Sequence, residues 1–182
     1  MKIREILRES TFSPNEVYLH GGPKALTTGH FKRYGRDGMD SGALFFIKES
    51  PTGWRYAVGY AMTKPDGGVY RCRIKLTPDQ VFDFANPQHR CLARTNLSPE
   101  EFKSWNDASR NGHLDWTSID DELMGEWGFK GAVLFERPAG INGYDEDAVS
   151  VGVFDPADVE ILGFTPKEEV LQKYPFPVPG QN

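Results

Sequence analysis

Cysteine is nearly missing from this sequence: Cys72 and Cys91 are the only two in 182 residues. They stand far apart and outside any Cys-x-x-Cys or Cys/His spacing, so the pattern offers neither a disulfide framework nor a metal site. Runs of Lys and Arg are missing too. With 21 basic residues against 26 acidic ones and a net charge of -5, the chain lacks the clustered cations on which binding to a phosphate backbone rests. Nucleic acid is therefore not the expected partner. No apolar run reaches the length of a membrane span, and the opening MKIREILRES breaks its apolar residues with charges, unlike a signal peptide. The expectation is a soluble, cytoplasmic protein with two free thiols and no membrane partner.

What the sequence does hold is turn formers and rings. Its 19 glycines and 13 prolines, set among 38% apolar and 13% aromatic residues, predict a loop-rich globule, and the length predicts one domain over 1–182. Ile3, Ile6 and Leu7 recur at helical spacing, giving a short amphipathic helix within 1–10. EVYLHGG (16–22) reads as a strand ended by its glycines, followed by a long polar loop over 23–42 that contains His30. ALFFI (43–47) is a continuous apolar run, hence a buried strand. WRYAVGYAM (54–62) places Tyr56 and Tyr60 one helical turn apart, and Pro65-Asp66-Gly67-Gly68 ends that helix.

GVYRCRIKL then alternates Tyr70, Cys72, Ile74 and Leu76 against Arg71, Arg73 and Lys75, the period of a half-buried strand. Its basic face would suit a pyrophosphate or an acidic partner, with solvated strand charge the plainer reading. Helix starts are predicted at Thr77, with Gln80 as its capping partner, at Ser98 with Glu101, and at Ser118 before an acidic first turn. Strands over 130–137, 148–154 and 159–164 close the pattern, and Pro175, Pro177 and Pro179 bar helix and central strand from the tail 174–182. The fold class this predicts is α+β. No Ser sits in a G-x-S-x-G elbow, which leaves hydrolase chemistry unsupported.

His20, Gly21 and Gly22 at the mouth of the first strand are the candidate binding residues. Glycine lets a flat ring approach the main chain closely, and a neutral imidazole can hold a ribose hydroxyl. Read in order, VYLHGG, GALFF, YAVGYA, GFKGAVLFE and VSVGVFDPADVEILG resemble the ADP-ribosyltransferase superfamily, over roughly residues 17–164. The layout is similar to that of phage-borne members, including an anti-CRISPR one. The resemblance implies a split antiparallel sheet, NAD as substrate, release of nicotinamide, and transfer of ADP-ribose to a macromolecular acceptor, expected to be a protein. A phage-encoded effector against a host or its defences is the corresponding biological expectation.

Carried over by position, the resemblance gives His20 the nicotinamide-side ribose, Gly21 the carboxamide, and Tyr60 the stack on the nicotinamide ring, with Tyr56 as the fallback. Phe45 and Phe46 would line the pocket floor, although any apolar strand pair would look the same and a core role is the better account of them. The family's catalytic carboxylate, usually Glu, falls here on Ser150. Strand parity then makes Glu146 the acid that shares a face with Ser150, with Asp147 eligible only through a bulge, and Asp115 a second source of acid. A catalytically silent member that sequesters a nucleotide or a host protein is the alternative, and a virion-associated structural domain a further one.

Overall fold

The glycines of VYLHGG do not stop the first strand. In the computed structural model, which describes residues 12–24, 43–136 and 148–176, β1 spans Tyr18–Pro23 and pairs Gly21 with Val69 and Gly22 with Gly68 of β3 (Gly67–Ile74). The ladder tolerates glycine here because other groups pack over the bare backbone: a Cβ on Gly68 would lie 2.4 Å from the Phe164 ring. The predicted helix within 1–10, most of the loop 23–42, the last residues of the tail, and His30, Glu146 and Asp147 lie outside the described residues.

After β1 come β2 (Leu44–Lys48) and helix α1 (Pro51–Ala61), then β3. Ser50 caps α1 by accepting from the Gly53 amide, Pro51 opens it, and Trp54, Ala57, Val58 and Ala61 form the buried stripe that the 3.6-residue period requires. The next stretch alternates short strands with helices: β4 (Val81–Phe82), α2 (Pro87–Asn96), α3 (Pro99–Ala108), β5 (Leu114–Asp115) and α4 (Asp121–Glu126). Ser98 and Glu101 form the predicted capping box on α3. The start at Thr77 gives a single 3-10 turn. Asp120, not Ser118, caps α4, because buried Ile119 must enter the core before the helix begins. Finally β6 (Gly131–Glu136), β7 (Ala148–Val153), β8 (Val159–Pro166) and α5 (Lys167–Lys173) complete the described chain.

The strands form one eight-stranded sheet in the order β4-β6-β7-β2-β1-β3-β8, with β5 also on β6. The predicted α+β class holds. The sheet is mostly antiparallel, but β4 and β5 run parallel to β6, which the expectation of an antiparallel sheet did not include. Its middle is narrow. β1 shares six register pairs with β3 but only two with β2, Tyr18↔Lys48 and Leu19↔Ile47.

One face of the sheet buries Tyr18, Leu44, Phe46, Tyr70, Ile74, Val133 and Val151, drawn from both halves. On the other face α1 and Val170 of α5 cover Leu19 and Val69, while Phe82, Trp105, Leu114, Met124 and Phe129 cover Ala132 and Leu134 of β6. The basic face of β3 is largely paired. Arg71 grips Glu49 through Nε and Nη2, at 2.9 Å each, and Arg73 Nη1 meets Glu160 at 2.9 Å. Carboxylates on neighbouring segments thus offset two of the three cations that the alternation displays.

Candidate functional site

Strand parity sorts the predicted residues. Along β1, Tyr18, His20 and Gly22 turn to the face that holds Phe46 and Tyr70, while Leu19 and Gly21 turn to α1. The His20 ring lies 5.2 Å from that of Phe46, and its Nε2 is 3.5 Å from where a Cβ on Gly22 would stand. Nδ1 donates to the Phe45 carbonyl at 2.8 Å, since a carbonyl only accepts. Nε2 is then the lone-pair nitrogen of a neutral imidazole. Burial pushes the His20 pKa below its ordinary value, and the bond to Phe45 opposes that shift. Phe46 itself is core.

Gly21 faces α1, and the helix uses the space its missing side chain leaves. A Cβ there would stand 1.8 Å from the Ala57 carbonyl oxygen and 3.1 Å from Tyr60 Cβ. The close approach that the sequence offered to a ligand is made, at Gly21, by the protein's own helix. Gly21→Ala is expected to destabilise the fold by about 1–3 kcal/mol or more, because backbone must move to admit the methyl. Gly22→Ala meets only ordinary contacts and should stay within about 0.5 kcal/mol of the parent. Urea denaturation of the two variants checks the difference, and equal midpoints would refute it.

On the same face, Tyr60 reaches across the seam to a carboxylate. Its phenol donates to Glu136 Oε2 at 2.8 Å, and the Ser150 hydroxyl donates to Glu136 Oε1 at 2.8 Å. The strands fix this meeting: β6 pairs Leu134 with Ser150 and Glu136 with Ala148, so the carboxylate continues the row of Ala132 and Leu134 and lies diagonally beside Ser150. Glu136 is 6% exposed and Ser150 2%, whereas Tyr60 is 49% exposed, so Tyr60 is the member that meets solvent. The Tyr56 ring, 6.0 Å from that of Tyr60, is buried one turn earlier on α1.

Burial holds the Glu136 carboxyl above its ordinary range, the bonds from Ser150 and Tyr60 pull it back, and the charge of Asp115 adds a smaller upward push. Tyr60 is raised as well, by burial first and then by the charge of Glu136. Asp115 pairs in register with Phe135, the residue before Glu136, and its Oδ1 accepts from Thr117 N and Oγ1 as the cap of a short 3-10 turn. The structure thus gathers Tyr60 and Ser150 around an acid that strand parity had sought on β7, and places Tyr56 beside Tyr60. His20 lies across the sheet from them, and Glu146 lies outside the described residues.

Among the described residues no group of three or more His, Cys, Asp or Glu side chains is placed to hold a metal. No helix among them is long and apolar enough to cross a membrane. No family model, no curated protein and no solved structure matches this chain. What the site does rests on its own chemistry: a buried carboxylate whose two oxygens each take a hydroxyl bond, with a half-exposed phenol at its edge.

Proposed function

We infer that this protein is an ADP-ribosyltransferase-like enzyme that takes NAD as substrate and passes ADP-ribose to a protein acceptor. The observation that carries this reading is the Tyr60–Glu136–Ser150 constellation. Ser150 stands where the resembling family places its acid, and Glu136, from the adjacent strand, sets a carboxylate against that hydroxyl. In the reaction the ribose–nicotinamide bond breaks with its electron pair leaving on nicotinamide. An acceptor lone pair then closes on the same carbon and gives up its proton. A carboxylate near that carbon stabilises the positive charge that grows on the ribose. Glu136 supplies this charge in its ionised form, which the bonds from Ser150 and Tyr60 favour against burial and aim, and the half-exposed Tyr60 ring offers a face to the nicotinamide.

Nicotinamide release from NAD by the purified chain tests the reading, and its absence with and without host lysate would retire it. Tyr60→Phe keeps the ring but removes a bond that lowers the Glu136 pKa. The acidic limb of the rate profile should therefore move up by about one pH unit, on the scale of one hydrogen bond to a charged group. An unmoved limb would show that Tyr60 does not tune Glu136. A catalytically silent binding protein is the second reading, and the observation in its favour is the Ala57 carbonyl pressed against Gly21. Saturable NAD binding without nicotinamide release would select it.

A further inference from the structure

Helix α1 lies between two neighbours on its face of the sheet. On one flank Tyr60 bonds Glu136 of β6. On the other lies α5, which packs against α1, β3 and β8. α5 and the residue after it grip α1 at both ends. Near the start of α1 the Tyr174 ring stacks on Trp54, with centroids 5.6 Å apart and planes 10° from parallel. Just past its end the Lys167 ammonium donates to the Lys64 carbonyl at 2.5 Å, in the turn that leads into β3. Val170 is buried between them in the cluster of Leu19, Trp54, Ala57 and Val58. The β1–β3 side of the sheet therefore carries a helix wedged laterally, with α5 behind it and the carboxylate in front.

We propose that the segment 167–174 is a positioning strap, in which Tyr174 and Lys167 hold α1 in the lateral position that puts the Tyr60 phenol on Glu136. The geometry favours this over simple core filling because neither strap contact touches the sheet. Both contacts end on α1 or its turn, and that helix crosses the seam with the Tyr60–Glu136 bond. Without the strap the helix can shift toward the side of β3 and β8, and the cross-seam bond lengthens before the strands separate. The functional consequence rests on the reading of Glu136 given above, but the mechanical claim does not.

The test uses the full chain with ring-carbon-labelled tyrosine, followed by NMR from neutral pH to about 11, above the ordinary tyrosine pKa. Tyr60→Phe and Tyr18→Phe assign the two resonances. Tyr18, on the opposite face and pushed up to about 12 by burial, serves as the internal control. In the parent the raised Tyr60 phenol should stay un-ionised to the end of this range, and in Tyr174→Ala it should ionise within it, as it loses both burial and its carboxylate partner. Tyr18 should not move, and Tyr174→Phe, which keeps the stacked ring, should behave as the parent. Lys167→Met should shift Tyr60 in the same direction, and it decides the matter if Tyr174→Ala does not fold. An unmoved Tyr60, a joint shift of Tyr18 and Tyr60, or loss in Tyr174→Phe equal to that in Tyr174→Ala would each overturn the proposal. Nicotinamide release, read in parallel, judges the catalytic reading separately: a parent chain that releases none still reports on the strap through Tyr60.

Discussion

Glu136→Gln is expected to lower nicotinamide release by about 10²–10³-fold, the size of effect seen when one electrostatic partner of a developing charge is removed. NAD affinity should change little, because the amide has the volume of the acid and retains an acceptor oxygen. Equal loss in binding would instead make Glu136 a ground-state contact, and full activity would sink its assignment. A second readout from the same variant involves no substrate. Burial raises the Glu136 pKa in the folded chain above its unfolded value. The stability this group contributes is therefore fully present below the ordinary carboxylate range and is lost as pH rises through the folded pKa. Gln mimics the neutral form at every pH. The denaturation midpoint of Glu136→Gln should thus gain on that of the parent as pH climbs from about 4 toward 8, across and above the ordinary carboxylate pKa. A difference that stays flat over this window would mean that the carboxylate is solvated in the folded protein.

Phe82→Ala is expected to cost about 3–5 kcal/mol, a large share of the stability of an ordinary domain. Phe82 is fully buried, and its ring sits 5.1 Å from Phe129, 5.6 Å from His89, and 6.0 Å from both Trp105 and Trp127. Four aromatic rings around one cavity relax poorly, since flat plates cannot close inward as flexible chains do. Phe82 also pairs with Ala132 on β6, the strand that ends in Glu136, so the loss reaches the site through the backbone. Urea unfolding with an unchanged slope would measure it. A shift below about 1.5 kcal/mol would show that the cluster closes around the hole, as a volume-tolerant core does. Leu162→Ala on the exposed side of β8 should stay within about 0.5 kcal/mol.

Local signals carried much of this fold. Ser98-Pro99-Glu101 announces α3 because capping is a matter of three or four neighbouring residues, whereas α1 was legible from its ring spacing and begins earlier, at the Ser50-Pro51 cap. Tyr70, Cys72 and Ile74 announce the inward face of β3 because parity is local too, even though a bulge interrupts the pairing at Arg71/Cys72. α2 escaped notice: PQHRCLARTN is polar, with Ala93 its one fully buried residue, and only Asn86-Pro87 hints at a start. α5 escaped for a similar reason, its buried anchor being Val170 alone.

The acid was the most instructive omission. Parity along β7 leads from Ser150 to Glu146, yet the carboxylate that bonds Ser150 comes from β6, whose register against β7 is set by residues not adjacent in sequence. The available hint was a single charge closing the otherwise apolar strand GAVLFE, in the row of Ala132 and Leu134. A lone acid at a strand end usually marks the return to solvent. Here it is buried, and only the cross-strand hydroxyl and the distant phenol explain why.

The two rungs that join β1 to β2 set how this molecule can breathe. Tyr18↔Lys48 and Leu19↔Ile47 act as the spine of an open book, with Tyr60 on one page and Glu136 on the other. Widening the angle between the pages would break the Tyr60–Glu136 bond and strain the His20–Phe45 bond that crosses the same joint.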